Sequence, residues 1–152
     1  MILIDDDGNK AKKSSGNKNT GKKNNTGNKS KAKQPTIRNG HLAGKKHPVS
    51  GIPFDKKGFP IFRSKFNMTL PRSLWGASNP TQFKYLNREL AKQLVNSKQK
   101  IFFASDIKRM QKGDNPVGHT WHHHQTPGLM QLVNTVVHRQ TGHTGGRALW
   151  GK

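Results

Sequence analysis

The sequence predicts an α+β domain behind a basic tail. Three observations carry this. Residues 8–36 contain almost nothing apolar, so the fold begins after them. A stretch near the middle, "SNPTQFKYLNRELAKQLVNS", repeats apolar residues at helical spacing. The last third reads as strand, turn, strand and helix.

In chain order, the opening "MILIDDDGNK" is no signal peptide. Its apolar part is four residues, and aspartates follow where a longer apolar core should stand. It reads as the start of a fragment of something longer. Residues 8–36 are Gly, Asn, Lys, Ser and Thr, which cannot bury enough surface to offset their ordering entropy. Residues 1–36 are therefore expected to be a disordered basic linker, with the globular domain at 37–152. "HPVSGIPFDKKGFPIF" reads as a hairpin in which Val49–Phe54 and Phe59–Phe62 flank the turn "DKKG". In the central helix Asn79 is the expected N-cap and Pro80 the first helical residue, with Phe83, Leu86, Leu90 and Leu94 on one face. "SDIKRMQKG" reads as a short helix capped by Ser105 and stopped by Gly113. In the last third, "HTWHHHQ" is a strand, "TPG" a turn and "LMQLV" a second strand. Asn134 or Thr135 caps the helix "TVVHRQT", and Gly142 suits the position just past its end.

The charge points to a polyanionic partner. Lys and Arg number 28 against 7 Asp and Glu, a net charge of +21. Nine of the lysines and three of the acids precede residue 37, so residues 37–152 keep 28 − 9 = 19 basic and 7 − 3 = 4 acidic residues, or +15. Such an excess favours nucleic acid through counterion release, with an anionic membrane surface as the rival. No apolar run is long enough for a spanning helix. With no cysteine, neither a disulfide framework nor a thiolate zinc site can form, so any metal would be held by His and oxygen ligands.

Six of the eight histidines lie between Gly118 and Gly146: His119, His122, His123, His124, His138 and His143. His41 and His47 are read as ordinary. The clustered ones are not. Adjacent histidines on a strand point to opposite faces, so one can bind metal while its neighbour faces substrate. A helix directly after the hairpin packs back on it and can bring His138 and His143 to the same ion. Three imidazoles around one divalent ion, with positions left open, is a catalytic arrangement rather than a closed structural one.

Two blocks, "HLAGKKHPVSGIPFDKKGFPIF" (residues 41–62) and "GHTWHHHQTPGLMQLV…VH…GHTGG" (residues 118–146), resemble the HNH/endonuclease VII superfamily. The resemblance is to the branch of polymorphic-toxin nucleases named for a Trp-His-His (WHH) motif, and it covers roughly residues 40–150. It implies a ββα-metal (His-Me finger) core, here with an additional N-terminal hairpin and helices, and one catalytic divalent ion, Zn²⁺ or Mg²⁺. It implies cleavage of nucleic-acid phosphodiesters by the C-terminal domain of a larger Rhs/LXG-type bacterial toxin. Such a toxin has an N-terminal delivery region, acts inside the target cell, and is paired with an acidic immunity protein expected over or beside the groove containing His122, His123 and Arg147. Residue by residue, His122 takes the place of a metal ligand, His123 that of the general base, and His138 and His143 those of the remaining ligands. DNase colicins space their two helical histidines by three residues, whereas four separate His138 from His143. His143 is therefore expected just beyond the helix, turning back at Gly142. The residue that orients His123 is Gln131 or Asn134, with Gln131 favoured.

Around this core, Arg147 among the glycines of "GHTGGRALW" can grip phosphate with its forked donors. His124 and Arg139 join it as candidate nucleic-acid contacts. Trp121 and Trp150 are read as core, "DKKG" as only a turn, and Asp106 or Asp114 as carboxylates that could join the site. The function these features favour is a metal-dependent, sequence-tolerant DNase, since phosphate contacts carry no sequence information directly. An RNase of the same fold is the alternative. A basic nucleic-acid-binding protein without catalysis, its histidines holding a structural metal or none, is the reading of a different class, and no membrane partner is expected in any of the three.

Overall fold

The computed structural model describes residues 36–98 and 100–152. The expected tail at 1–36 lies, except for Thr36, outside the described residues. Among the described residues there are four α-helices, α1 (Asn79–Val95), α2 (Ala104–Gln111), α3 (Thr135–Gln140) and α4 (Arg147–Trp150), and three strands, β1 (Phe66–Thr69), β2 (His119–His123) and β3 (Leu129–Asn134). The sheet is antiparallel in the order β1-β3-β2. This is the expected α+β class, and the β2-turn-β3-α3 unit matches a ββα-metal nuclease fold.

Local chemistry explains each element. Ser78, one residue before the expected Asn79, caps α1: its Oγ accepts from the Thr81 amide at 3.3 Å. Pro80 then sits within the first turn, where no amide hydrogen is needed. Leu86, Leu90 and Leu94 face inward with Phe83 beside them. Phe103, rather than Ser105, precedes α2 as its N-cap. At α3, Asn134 is the cap, its Oδ1 accepting from the Val137 amide at 3.0 Å.

The expected first hairpin is reduced to two isolated antiparallel bridges, Lys46–Pro53 and Phe54–Pro60. Each bridge includes a proline, which has no amide hydrogen to extend a ladder. The turn itself stands as read. Asp55 Oδ1 accepts from the Lys57 and Phe59 amides at 2.8 and 3.0 Å, and Gly58 holds a φ of 88°.

One face of the sheet buries Trp121, Met130 and Leu132 against Leu86, Leu90 and Met110. A buried polar knot fixes this layer. Asn87 of α1 accepts from Trp121 Nε1 at 2.8 Å and donates to the Gly113 carbonyl and Asn115 Oδ1. Helix α3 packs against β2 and β3. Strand alternation turns His122 toward the face opposite Trp121, where His138 of α3 meets it.

Gly146 closes the end of the domain. Its amide donates to the His123 carbonyl at 2.7 Å, and a Cβ there would stand 1.8 Å from the His124 carbonyl oxygen and 2.3 Å from Trp150 Nε1. Gly146→Ala should therefore destabilise the fold by at least about 1–3 kcal/mol, because a backbone oxygen cannot swing aside as a side chain can. A urea titration reads this directly. An unchanged midpoint would show that α4 can move off β2.

Candidate metal centre

His122, His138 and His143 come together. Each offers one ring nitrogen, and these nitrogens lie within 4.8 Å of one another. That spread is close to the roughly 4.2 Å that two metal–imidazole bonds of about 2.1 Å can span. The ring centroids are 4.8–5.5 Å apart. His122 and His143 are buried and His138 is half-buried. No other such group of His and acidic side chains occurs among the described residues.

Three elements build the set. β2 supplies His122 and α3 supplies His138. His143 stands three residues past the end of α3, and its Nδ1 lies 2.6 Å from the Thr141 carbonyl. A carbonyl can only accept, so Nδ1 carries the hydrogen and Nε2 the lone pair. Fixing the tautomer through the other ring nitrogen is what an imidazole ligand requires. The donor set thus suits a divalent ion: three imidazoles, no thiolate and no carboxylate. Asp106 Oδ1 is instead engaged by the Val117 amide at 3.0 Å.

Phe62 covers the three rings. Its centroid lies 4.8, 5.3 and 5.2 Å from those of His122, His138 and His143. Sequence reasoning treated Phe62 only as one apolar residue of a hairpin. A single aromatic side chain carries no sequence sign that it walls a polar cluster.

His123 faces the other way. It is wholly buried beside Phe83 and Trp150. Its Nε2 lies 2.7 Å from Gln82 Oε1. The expected orienting residue, Gln131, is elsewhere. It pairs with His122 in the ladder, while Met130 pairs with His123, and its amide reaches Asn67 Oδ1 at 3.5 Å. Register partners share a face, so Gln131 lies on the opposite face from His123. Asn134, the other candidate, is occupied as the cap of α3.

Arg147 is turned inward. Both terminal nitrogens donate to the Ala77 carbonyl at 3.1 Å, and Nη1 reaches Gln82 Oε1 at 3.3 Å. The fork expected to grip phosphate braces the start of α1 instead. His122 and His123 are buried, and Arg147 is half-buried. His124 is half-buried, and its Nδ1 accepts from the Thr126 amide at 3.0 Å. Burial pushes its pKa down, with the nearby Asp55 carboxylate opposing. Arg139 is exposed on α3. Trp121 and Trp150 are core, and each indole is bonded, to Asn87 Oδ1 and the His124 carbonyl respectively.

Arg38 was missed by the sequence reading. Its backbone amide donates to Thr144 Oγ1 at 2.8 Å, and Asn39 Nδ2 donates to the Gly142 carbonyl at 2.7 Å. The Arg38 guanidinium lies on Gly142, where a Cβ would stand 2.8–2.9 Å from it. This corrects the role of Gly142. Its φ is not left-handed, and glycine there makes room for an exposed cation beside the loop that carries His143. The contact spans more than 100 residues of sequence, so no local pattern announces it.

Among the described residues no helix is long and apolar enough to cross a membrane. No curated protein matches the chain. The model of one protein family, the DNase/tRNase domain of colicin-like bacteriocins, matches residues 52–145, more than half of the chain. That stretch contains Phe62, Gln82 and all three converging histidines, and with this match the chain belongs to the family of colicin-like bacteriocin DNase/tRNase domains, a family of nuclease toxins.

Proposed function

We propose that the protein is a metal-dependent endonuclease that hydrolyses DNA phosphodiesters with little sequence preference, in the WHH branch of the toxin nucleases. Residues 37–152 are its nuclease domain and residues 1–36 a basic linker to the delivery region of an Rhs/LXG-type toxin that acts inside a target cell. The observation that carries the reading is the convergence of His122, His138 and His143 within a nuclease-toxin family.

His122, His138 and His143 hold the ion. When bound there, a divalent metal steadies charge on the scissile phosphate and the leaving oxygen. His123 takes the proton of the attacking water, and a neutral imidazole near pH 7 is suited to that. Its ring is buried beside Phe83 and Trp150, and the role requires that water reach it. The basic excess of the domain holds the phosphate backbone without reading bases. An acidic immunity protein, drawn by the same charge, protects the producing cell.

Arg38 supplies the cation at the ligand loop that inward-turned Arg147 cannot. Arg38→Ala should lower cleavage by roughly 10–100-fold, as loss of one charged hydrogen bond of about 1.5–3 kcal/mol implies. It should also reduce the salt slope of DNA binding by about one phosphate contact. Arg38→Lys should recover part of the loss. An unchanged salt slope would remove Arg38 from the interface.

Incubating plasmid DNA and total RNA with the protein, with and without chelator, tests the whole reading. Chelator-sensitive nicking of plasmid supports it. Digestion of RNA alone would favour the tRNase side of the family, which the family description equally covers. Binding without cleavage of either would leave a non-catalytic nucleic-acid-binding protein.

A further inference from the structure

We infer that Gln82 is a positioning residue that fixes the tautomer of His123. The inference deepens the reading of His123 as the base and rests on it. Gln82 lies in the first turns of α1 and is fully buried, as is His123. Its amide nitrogen donates to two backbone carbonyls, Leu74 at 2.8 Å and Trp75 at 3.0 Å. Flipping the amide would turn its oxygen onto both carbonyls, leaving them without donors and repelling them. The orientation is therefore set from the backbone outward, and Oε1 must face His123 Nε2, 2.7 Å away. An amide oxygen only accepts. Nε2 consequently carries the hydrogen, and the imidazole lone pair is at Nδ1.

A second donor steadies the same oxygen. Arg147 Nη1 lies 3.3 Å from it, and the guanidinium is anchored on the Ala77 carbonyl. Three carbonyls of the segment Leu74–Ala77 thus hold Gln82 and Arg147, and these two hold the ring. The consequence is chemical. A neutral imidazole with its hydrogen on the wrong nitrogen presents a donor to water, and cannot take its proton at that nitrogen. Gln82 removes that alternative before substrate arrives.

The experiment uses the full chain labelled with ¹⁵N at histidine. Two-bond ¹⁵N–¹H correlation spectra distinguish the two neutral tautomers of His123, and activity is measured on plasmid in parallel. In the wild-type protein His123 should appear as the Nε2–H tautomer. Gln82→Met, of similar volume but with no acceptor, should give a tautomer mixture. Its kcat should fall roughly 10–100-fold, the usual scale for loss of an orienting partner. KM and Zn²⁺ affinity should stay near wild type, since His123 is not among the converging ligands. Gln82→Glu keeps an acceptor toward Nε2 but sets a second oxygen against the Leu74 and Trp75 carbonyls, so it should keep the Nε2–H signature while folding less stably than wild type.

A wild-type spectrum with the hydrogen on Nδ1 would overturn the inference without any variant, so misfolding of Gln82→Met cannot shield it. A well-folded Gln82→Met with an unchanged tautomer and unchanged kcat would overturn it equally. Near-normal cleavage by His123→Ala would instead defeat the base reading, and the tautomer spectra would still decide what Gln82 does to the ring.

Discussion

Alanine in place of His122, His138 or His143 is expected to weaken metal binding and cleavage together. Removing an outer partner of a ligand typically costs 10–100-fold in metal affinity, so losing a ligand should cost more than about 100-fold. The rate should fall at least as far, because an ion at a scissile phosphate contributes several kcal/mol of transition-state stabilisation, and each 1.4 kcal/mol is about tenfold. Calorimetric titration of each variant with Zn²⁺, beside a plasmid-nicking assay, reads both quantities. His143 is the most informative of the three. It stands outside α3, with its Nδ1 bonded to the Thr141 carbonyl. Unchanged affinity in His143→Ala would mean that the loop after Gly142 does not serve the metal, leaving His122 and His138 alone.

His123→Ala is expected to show the opposite separation: cleavage lost, metal retained. General-base catalysis is worth about 10²–10⁴-fold, and the deficit should lie in kcat. The substitution also empties space beside Phe83 and Trp150 and leaves Gln82 Oε1 without its imidazole donor, so some stability is lost as well. His123→Gln keeps a polar side chain at the position and separates the two effects. It should fold better than the alanine variant and cleave no faster. Cleavage near wild type in a well-folded His123 variant would remove the base assignment. Loss of bound metal would move His123 into the ligand set.

Much of this site was legible in the chain because it is local. The order of strand, turn, strand and helix follows from apolar spacing and from Gly128 and Asn134 at the joints. The adjacency of His122 and His123 on a strand dictates that they face opposite ways, and the short α3 dictates that His138 returns toward β2. Long-range partners were not legible. β1 carries only four residues, and its pairing with β3 makes it a strand, which no short alternating stretch can announce alone. Gln131 looked like the orienting residue of His123 because it is near in sequence. Ladder register placed it across from His122, and the side chain that meets the His123 ring is Gln82, 41 residues away on α1.

The chain's composition and spacing alone carried the basic charge, a donor set made only of imidazoles, and the ββα unit that brings them together. Tertiary structure alone decided which side chains surround those imidazoles. Phe62 over the trio, Gln82 and Arg147 behind His123, and Arg38 against Gly142 all come from segments distant in the chain. The physical reason is that element type follows from residue spacing along one segment, whereas a hydrogen-bond partner or an aromatic wall depends on which faces of separate segments bury each other. That choice is made by packing the whole core, and no single stretch of sequence contains it.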